Sequence, residues 1–522
     1  MMEPGSTGAT RTEFAPARSA RASRAALSLA LLVLASTLAH ARQGELPWSL
    51  AHPAKAGLNL PIVDVGGIDA VQLRAESDTA ARNAIGPHAK RLAVAAGADV
   101  SFTPERDGSW QFLADGSRLW RLRVRSSGAT DLRLGFDRYA LPPGAALYVI
   151  GASDYYQGPY DSRDAVDSRF DAPVVPGDTA TLELRVPADA TLAPDALELA
   201  RVGAGFRDVF GRDKSGSVGQ SGACNVNVAC PLGQTYPDEV RAVGYYEFQA
   251  AGSRDYYICS GTLLADVPRS GRDWFVTAAH CISAASEAAS MVVYWNYQST
   301  QCSYLAAPPG GYFNDDQHGA TLRATRADVD VTLLELAGHA DPAWNRYRAG
   351  WDASGALPAG TVGIHHPSGD VKKVTAGPRP STTGNCIVDS TTRTDTHWMA
   401  GPYTQGTTEG GSSGSGLFAA TGSGQPRRLI GTLSGGDAEC SSSSPGSPNA
   451  GTDCYGKFAV AWQGATAAVR LRDWLDPANS GTTSLVGGDV DPPAQPPLQH
   501  STRALPPGWL LRPIRASRPA MP

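Results

Sequence analysis

Alternating apolar and polar positions dominate the first half of the chain. Trp120-Arg121-Leu122-Arg123-Val124-Arg125 and Leu132-Arg133-Leu134 repeat with a period of two, the mark of half-buried strands. Ala145 to Ile150 and Thr181-Leu182-Glu183-Leu184-Arg185-Val186 read as further strands, with Pro142-Pro143-Gly144 as a turn. Residues 42–214 are therefore expected to form a small β-sandwich, its arginines on one solvated face. Past residue 215 the apolar positions come in short runs: Trp274-Phe275-Val276, Met291 to Trp295, Val331 to Leu336 and Leu429 to Leu433. Runs of that length predict buried strands. The one clear helical pattern is Thr466 to Trp474, ending at Leu475-Asp476-Pro477. The expected class is all-β.

A different pattern opens the chain. Arg11, Arg18, Arg21 and Arg24 precede an apolar run from Ala25 to Leu38, and Ala39-His40-Ala41 follows. That order predicts a secretory signal peptide over residues 1–41. The run is too short for a membrane span of roughly 20 residues. All eight cysteines fall between Cys224 and Cys454. In an exported chain an even, clustered set implies disulfides, and there is no Cys-x-x-Cys pair to suggest a metal site. Net charge is −5, so no basic footprint for nucleic acid exists. Residues 481–522, with Pro492-Pro493 and Pro496-Pro497, read as a disordered tail.

Candidate chemistry lies in three stretches. Thr277-Ala278-Ala279-His280-Cys281 puts a histidine at a strand's end. Asp330 opens the strand Val331 to Leu336. Gly411-Ser412-Ser413-Gly414-Ser415-Gly416 frames a serine with glycines. A serine hydroxyl is a weak nucleophile unless a base lies within reach and a third group orients that base. The order His, Asp, Ser is that of the chymotrypsin-type triad. Ser413 is the expected nucleophile, His280 the base and Asp330 its orienting carboxylate, with Asp328 a surface charge. The Gly411 and Ser413 N–H groups would form an oxyanion hole. Adjacent His365 and His366 point apart on a strand and are assigned a structural role. No metal or cofactor is called for.

These motifs resemble the trypsin/chymotrypsin class. A closer resemblance is to the bacterial lysyl endopeptidases. It rests on Ala223-Cys224-Asn225, Val228-Ala229-Cys230-Pro231, Arg241-Ala242-Val243-Gly244, Val292 to Gln298, Thr332 to Leu336, Ala349 to Asp352, Ile364 to Pro367 and Asp473 to Pro477, in order over most of residues 215–480. The resemblance implies a double six-stranded β-barrel protease domain over 215–480 with a C-terminal helix, and a propeptide over 42–214. It implies secretion, cleavage after lysine, and maturation by a cut after Lys214. It further implies disulfides Cys224–Cys440, Cys230–Cys302, Cys259–Cys281 and Cys386–Cys454; the sequence alone leaves that connectivity open.

The chain also departs from its relatives' patterns. The position before the nucleophile is Ser412, where trypsin-like digestive enzymes keep an aspartate, and the position six before it is Thr407. In the resembling family the lysine-reading aspartate comes from a later strand, which Asp453 matches. Ser434 stands before Gly435-Gly436 where that family has a histidine, so Ser434, Gly435 and Gly436 are the expected substrate-binding strand. The expected partners are protein or peptide substrates and the chain's own propeptide, with a monomeric enzyme away from membranes and nucleic acid. The alternatives are a broader lysine/arginine endopeptidase, a catalytically dead binding homologue, and a permanent adhesive domain over 42–214.

Overall fold

The computed structural model describes residues 46–54, 60–83, 88–89, 91–210, 221–302, 315–338, 340–381, 385–388, 391–420, 427–440 and 449–490. The expected leader, the junction at Lys214 and everything past Val490 lie outside them.

Period-two strands build an N-terminal sandwich. One sheet runs Ile62–Asp64, Arg118–Arg125, Thr179–Val186, Ala146–Ile150, Tyr156–Tyr160 in spatial order. The facing sheet contains Leu92–Phe102, Leu197–Gly205, Asp131–Tyr139 and Phe170–Pro176. Every second residue points inward: Trp120, Leu122, Val124, Leu182 and Leu184 from the first, Leu132, Leu134, Phe136 and Val202 from the second, all essentially without solvent contact.

The second sheet does not end at the sandwich. Leu92–Phe102 pairs antiparallel with Tyr256–Leu264, so that Leu92 faces Ile258 and Ala95 faces Tyr256. One eleven-stranded sheet thus joins the sandwich to the next domain. This overturns the expectation of one solvated arginine face. Arg125 is exposed, but Arg133 is buried. Its Nε and Nη2 donate to the two carboxylate oxygens of Glu247 at 2.5 and 3.0 Å, and Nη1 donates to Asp131. Tyr245 Oη also donates to Glu247, at 2.8 Å. Glu247 belongs to the neighbouring domain's strand Val243–Gln249, so the arginine faces a covered joint, not water.

Two barrels follow. The first has the neighbours Val292–Tyr294, Val243–Gln249, Tyr256–Leu264, Trp274–Thr277, Val331–Leu336 and Ala320–Arg326. It closes because Asp316–His318 pairs back onto Val292–Tyr294 and the chain turns into Ala320–Arg326 at Gly319, whose φ of 67° suits glycine. Phe248, Leu263, Phe275, Val293 and Leu334 fill it. The second runs Lys373–Pro378, Gly360–His365, Gly416–Ala420, Arg428–Gly436, Asp453–Lys457, His397–Ala400, and closes where Ser381 bridges Met399. Trp398, Tyr403, Leu417, Leu433 and Tyr455 lie inside it. The disulfides join Cys224 to Cys440, Cys230 to Cys302, Cys259 to Cys281 and Cys386 to Cys454.

Three local expectations change. The late helix is two short pieces, a 3-10 turn at Ala467–Val469 and one helical turn at Arg472–Leu475. The backbone is extended at Arg470, and Leu471 and Leu475 both reach the core. The longest helix among the described residues is instead Ala70–Asn83. It lacks a broad apolar stripe, so periodicity misses it; its Ala, Gln, Glu and Arg content favours helix without one. The ordered fold also passes residue 480. Ser484–Leu485 pairs with Gly350–Asp352, and Gly488–Asp489 with Tyr347–Arg348.

Removing one member of a buried, hydrogen-bonded ion pair costs about 3–5 kcal/mol, because the other charge stays buried. Arg133→Ala, made in the uncut Ser413→Ala chain, should lower the urea unfolding midpoint accordingly. An unchanged midpoint would mean the pair contributes nothing at this joint.

Candidate active site

The strand Trp274–Thr277 ends beneath the site. Thr277 is held there by its hydroxyl, which donates to Ser260 O at 3.0 Å and meets Tyr246 Oη at 2.7 Å. Ala278 is buried, and Cys281 is tied to Cys259 on the adjacent strand. The chain is thereby fixed on both sides of His280. Asp330 ends the turn before Val331–Leu336 with a φ of 59°, a conformation that aspartate tolerates better than most residues. Its carboxylate is almost fully enclosed. One oxygen accepts the His280 backbone N–H at 2.8 Å, and the other accepts the ring Nδ1–H at 2.8 Å. That leaves the lone pair on Nε2, which faces Ser413 Oγ at 2.7 Å. Asp328 instead pairs with Arg326 at 3.0 Å and is mostly exposed.

Electrostatics keep Asp330 an anion. Burial by itself would raise its pKa, but the His280 ring, the Ser434 hydroxyl and the His280 N–H outweigh it and hold the carboxyl below its ordinary value. Ser434 Oγ also lies 3.1 Å from His397 Nε2, and His397 Nδ1 lies 2.8 Å from Thr396 Oγ1. Since Ser434 donates to the carboxylate, its oxygen accepts from His397 Nε2–H, and Nδ1 accepts from Thr396. The chain of bonds therefore runs Thr396, His397, Ser434, Asp330, His280, Ser413. No motif marked His397. Its only sequence signal is a histidine inside an apolar strand.

The loop that carries Ser413 is pinned by its carbonyls. Gly410 O accepts Ser368 N–H at 2.6 Å, and Ser412 O accepts Ser415 N–H at 3.1 Å. In a trans peptide the following N–H points the opposite way, so the Gly411 and Ser413 N–H groups turn away from those partners. Gly411 has a φ of 92°, and a Cβ there would sit 2.8 Å from His366 O. Ser260 holds the loop from beneath: its N–H donates to Ser413 O at 2.8 Å and its hydroxyl to Gly411 O at 2.9 Å. Glu409, unmarked in the sequence, ties the loop to Gly222, Asn225 and Ser368.

The position before the nucleophile, Ser412, accepts Glu409 N–H at 3.1 Å and meets His365 Nδ1 at 2.8 Å. His366 Nδ1 meets Asp370 O. The two histidines are thus buried and turned to different partners. A single cluster of metal-type ligands occurs among the described residues, Cys259, His280 and Cys281, and there the two sulfurs are bonded to each other. Asp453 is buried opposite Gly436, with Cys454 opposite Gly435. Its carboxylate accepts Thr408 Oγ1 at 2.5 Å and Tyr403 Oη at 3.0 Å. Thr407 is buried and accepts Asn449 Nδ2 at 3.0 Å.

Histidine and aspartate from one barrel meet a serine from the other, in an all-β chain of the trypsin-like kind. The protein is a serine endopeptidase, and protein or peptide chains are its substrates. Residues 218–456 match the lysyl endopeptidase C-terminal domain, and residues 68–203 match the lysyl endopeptidase N-terminal domain. A lysyl endopeptidase of Pseudomonas aeruginosa is 32% identical over 358 residues, 65% of this chain and 74% of that one. The chain belongs to the lysyl endopeptidase family. Among solved structures, a protease of M. tuberculosis in its active form is 16% identical, with a TM-score of 0.27 over 43% of this chain and 78% of that one. The HtrA-type protease AlgW with a tripeptide is also 16% identical, with a TM-score of 0.28 over 44% and 60%. Neither alignment bears on the reaction.

The buried His397 ring provides a pH test. Burial lowers its pKa from 6.5 to about 4, with Arg393 and Lys457 adding to the effect and Asp330 opposing it. The folded value lies below the unfolded one, so this ring's contribution is intact above about pH 6.5 and is lost as pH falls toward 4. The urea midpoint of the parent should fall more across that window than that of His397→Gln. Equal falls would mean that this ring is not neutral and buried.

Proposed function

We propose that the protein hydrolyses peptide bonds on the carboxyl side of lysine, with His280, Asp330 and Ser413 as its triad. The observation that carries this is the bonded line from Asp330 through His280 Nε2 to Ser413 Oγ, next to a strand whose partner holds Asp453. Ser413 Oγ attacks the scissile carbonyl while His280 Nε2 takes its proton. The oxyanion falls to the Gly411 and Ser413 N–H groups, and losing one such donor typically costs ~10²–10³ in rate. His280 then passes the proton to the leaving amine, and water repeats the cycle on the acyl-enzyme. Asp330 keeps the ring in the productive tautomer and offsets the charge that forms on it.

Asp453 is assigned to reading the substrate. A buried carboxylate gains most from a cation that reaches it, and a lysine ammonium supplies one. Tyr403 and Thr408 hold the carboxylate in place by donating to it. The family's name and the P. aeruginosa relative support lysine over arginine. Ser434 at the position where the family keeps a histidine leaves the broader lysine/arginine endopeptidase as the second reading. Secretion through the leader and maturation after Lys214 complete the proposal, with 42–214 as propeptide.

Replacing a nucleophile in such a triad typically costs ~10⁶ in turnover. Ser413→Ala should therefore abolish activity, fold normally, and leave the secreted chain uncut at Lys214, whereas the parent begins at Ser215. Identical trimming of both forms would assign maturation to another protease. Failure of a serine-directed reagent to label Ser413 in the parent would favour the dead binding homologue.

Asp453→Asn should reduce turnover of lysine substrates by about 30-fold or more, in line with the roughly 2–5 kcal/mol at stake when a buried charge pair is broken. The measured quantity is kcat/KM for matched lysine and arginine peptides. Unchanged lysine turnover would place the reader of the side chain elsewhere.

A further inference from the structure

Asp453 sits in a bracket of buried side chains from two stretches of chain, 403–408 and 449–455. Thr408 Oγ1 donates to its Oδ2 at 2.5 Å, and Tyr403 Oη donates to the same oxygen at 3.0 Å. Tyr455, two residues past Asp453, meets Tyr403 Oη with its own hydroxyl at 2.9 Å. Tyr403 has one hydroxyl proton and the carboxylate takes it, so the Tyr455 hydroxyl donates to Tyr403. The two phenols are buried, at 1% and 0% exposure. Burial, and after it the charge of Asp453, lifts the pKa of both hydroxyls above the ordinary value, so both keep their protons. Asn449 fixes the backbone of Tyr403. Its Oδ1 accepts Tyr403 N–H, its own N–H donates to Tyr403 O at 3.1 Å, and its Nδ2 donates to Thr407 Oγ1 at 3.0 Å.

The two carboxylate oxygens are therefore unequal. Oδ1 lies on the Gly436 side, where a Cβ on that glycine would come within 2.5 Å of it. Oδ2 faces Tyr403 and Thr408, and its two lone pairs receive their two hydroxyl protons. Charge alone does not separate lysine from arginine, since each carries one positive charge. Geometry does. A guanidinium binds a carboxylate best as a fork, with two parallel N–H groups that each find an oxygen. With Oδ2 filled, the fork has no second acceptor, whatever else Oδ1 receives. An ammonium is a compact point charge with three rotatable donors, and one oxygen suffices for it.

We propose that Tyr403 and Thr408 set lysine against arginine: by filling Oδ2 they leave Asp453 able to receive an ammonium and unable to hold a guanidinium in a fork. They act through Asp453 and are positioning residues, with no contact to the substrate required. Tyr455 and Asn449 stand one step further back, holding Tyr403 where it can donate. This deepens the lysine-specific reading above and rests on it. It gives the chain a source of selectivity that does not depend on the histidine its family keeps at the position of Ser434.

The test uses the secreted, active enzyme as the parent, Tyr403→Phe, Thr408→Val, Thr408→Ser and the double variant carrying Tyr403→Phe and Thr408→Val. kcat and KM are measured on two peptides that differ only in having lysine or arginine before the cut. The ratio of the two kcat/KM values is taken within each preparation, so a lower yield of folded enzyme cancels. The lysine-to-arginine ratio should fall about tenfold in Tyr403→Phe and in Thr408→Val, the effect of one hydrogen bond to a charged group. It should fall further in the double variant. The change should come mainly from a lower KM for the arginine peptide, because the fork forms on binding. Thr408→Ser keeps the hydroxyl and should keep the parent's ratio. A parent that prefers lysine, with the same ratio in Tyr403→Phe and Thr408→Val, would overturn the proposal and leave the lysine reading standing. Equal losses on both peptides, the mark of a purely structural role, are one form of that result. A parent that cuts both peptides equally well would remove the lysine reading, and this proposal with it. If Tyr403→Phe fails to accumulate, Thr408→Val, which keeps the shape of the side chain, decides the matter alone.

Discussion

The doubly bonded Asp330 carboxylate is the constraint on which the rest of the site depends. One oxygen holds the His280 backbone and the other holds its ring, so position and tautomer are set together. An enclosed carboxylate is unfavourable unless it is bonded on all sides. The surroundings supply those bonds: the His280 amide and ring, and Ser434 from the opposite barrel, itself backed by His397 and Thr396. The two barrels are therefore joined through this carboxylate. Any shift of one against the other would break a bond to a buried charge, which explains how a site split across two domains keeps a 2.7 Å contact to its serine.

A second constraint is the shared strand Leu92–Phe102. It has the sandwich on one edge and the first barrel on the other, and the Arg133–Glu247 pair closes the joint beneath it. Its backbone pairing places Tyr256–Leu264 between the sandwich and the barrel strand Val243–Gln249. Long-range β pairing is the slow part of folding such domains. The N-terminal residue of the same strand, Leu92, lies opposite Ile258, beside the Cys259–Cys281 bridge, so the joint reaches the strand that flanks the site.

The site was legible where its chemistry is local. His280 and Asp330 lie at the termini of apolar strands, and Ser413 lies in a glycine-framed turn; each could be read within a few residues. What could not be read depends on distant pairing. Arg133 looked solvated because its partner Glu247 is 114 residues away, on a strand of another domain. His397 carries no motif, and only the barrel's closure brings it to Ser434. The pairings of His88–Ala89 with Gly435–Gly436 and of Leu92 with Ile258 have no sequence pattern of their own and show only as register in the fold. The helix Ala70–Asn83 escaped because it lacks the apolar stripe that a periodicity reading seeks, and the late helix was over-read because the spacing of Leu471 and Leu475 fits one continuous helix as well as two turns.

The most direct test of the account is a cut-site map. The mature enzyme is given an unfolded protein of known sequence rich in both lysine and arginine, and the new termini are identified by mass spectrometry. The account predicts cuts after lysine, with arginine sites left whole or cut far more slowly. Cuts after uncharged residues, or equal cutting at both basic residues, would contradict the role given to Asp453 and to the site built around it.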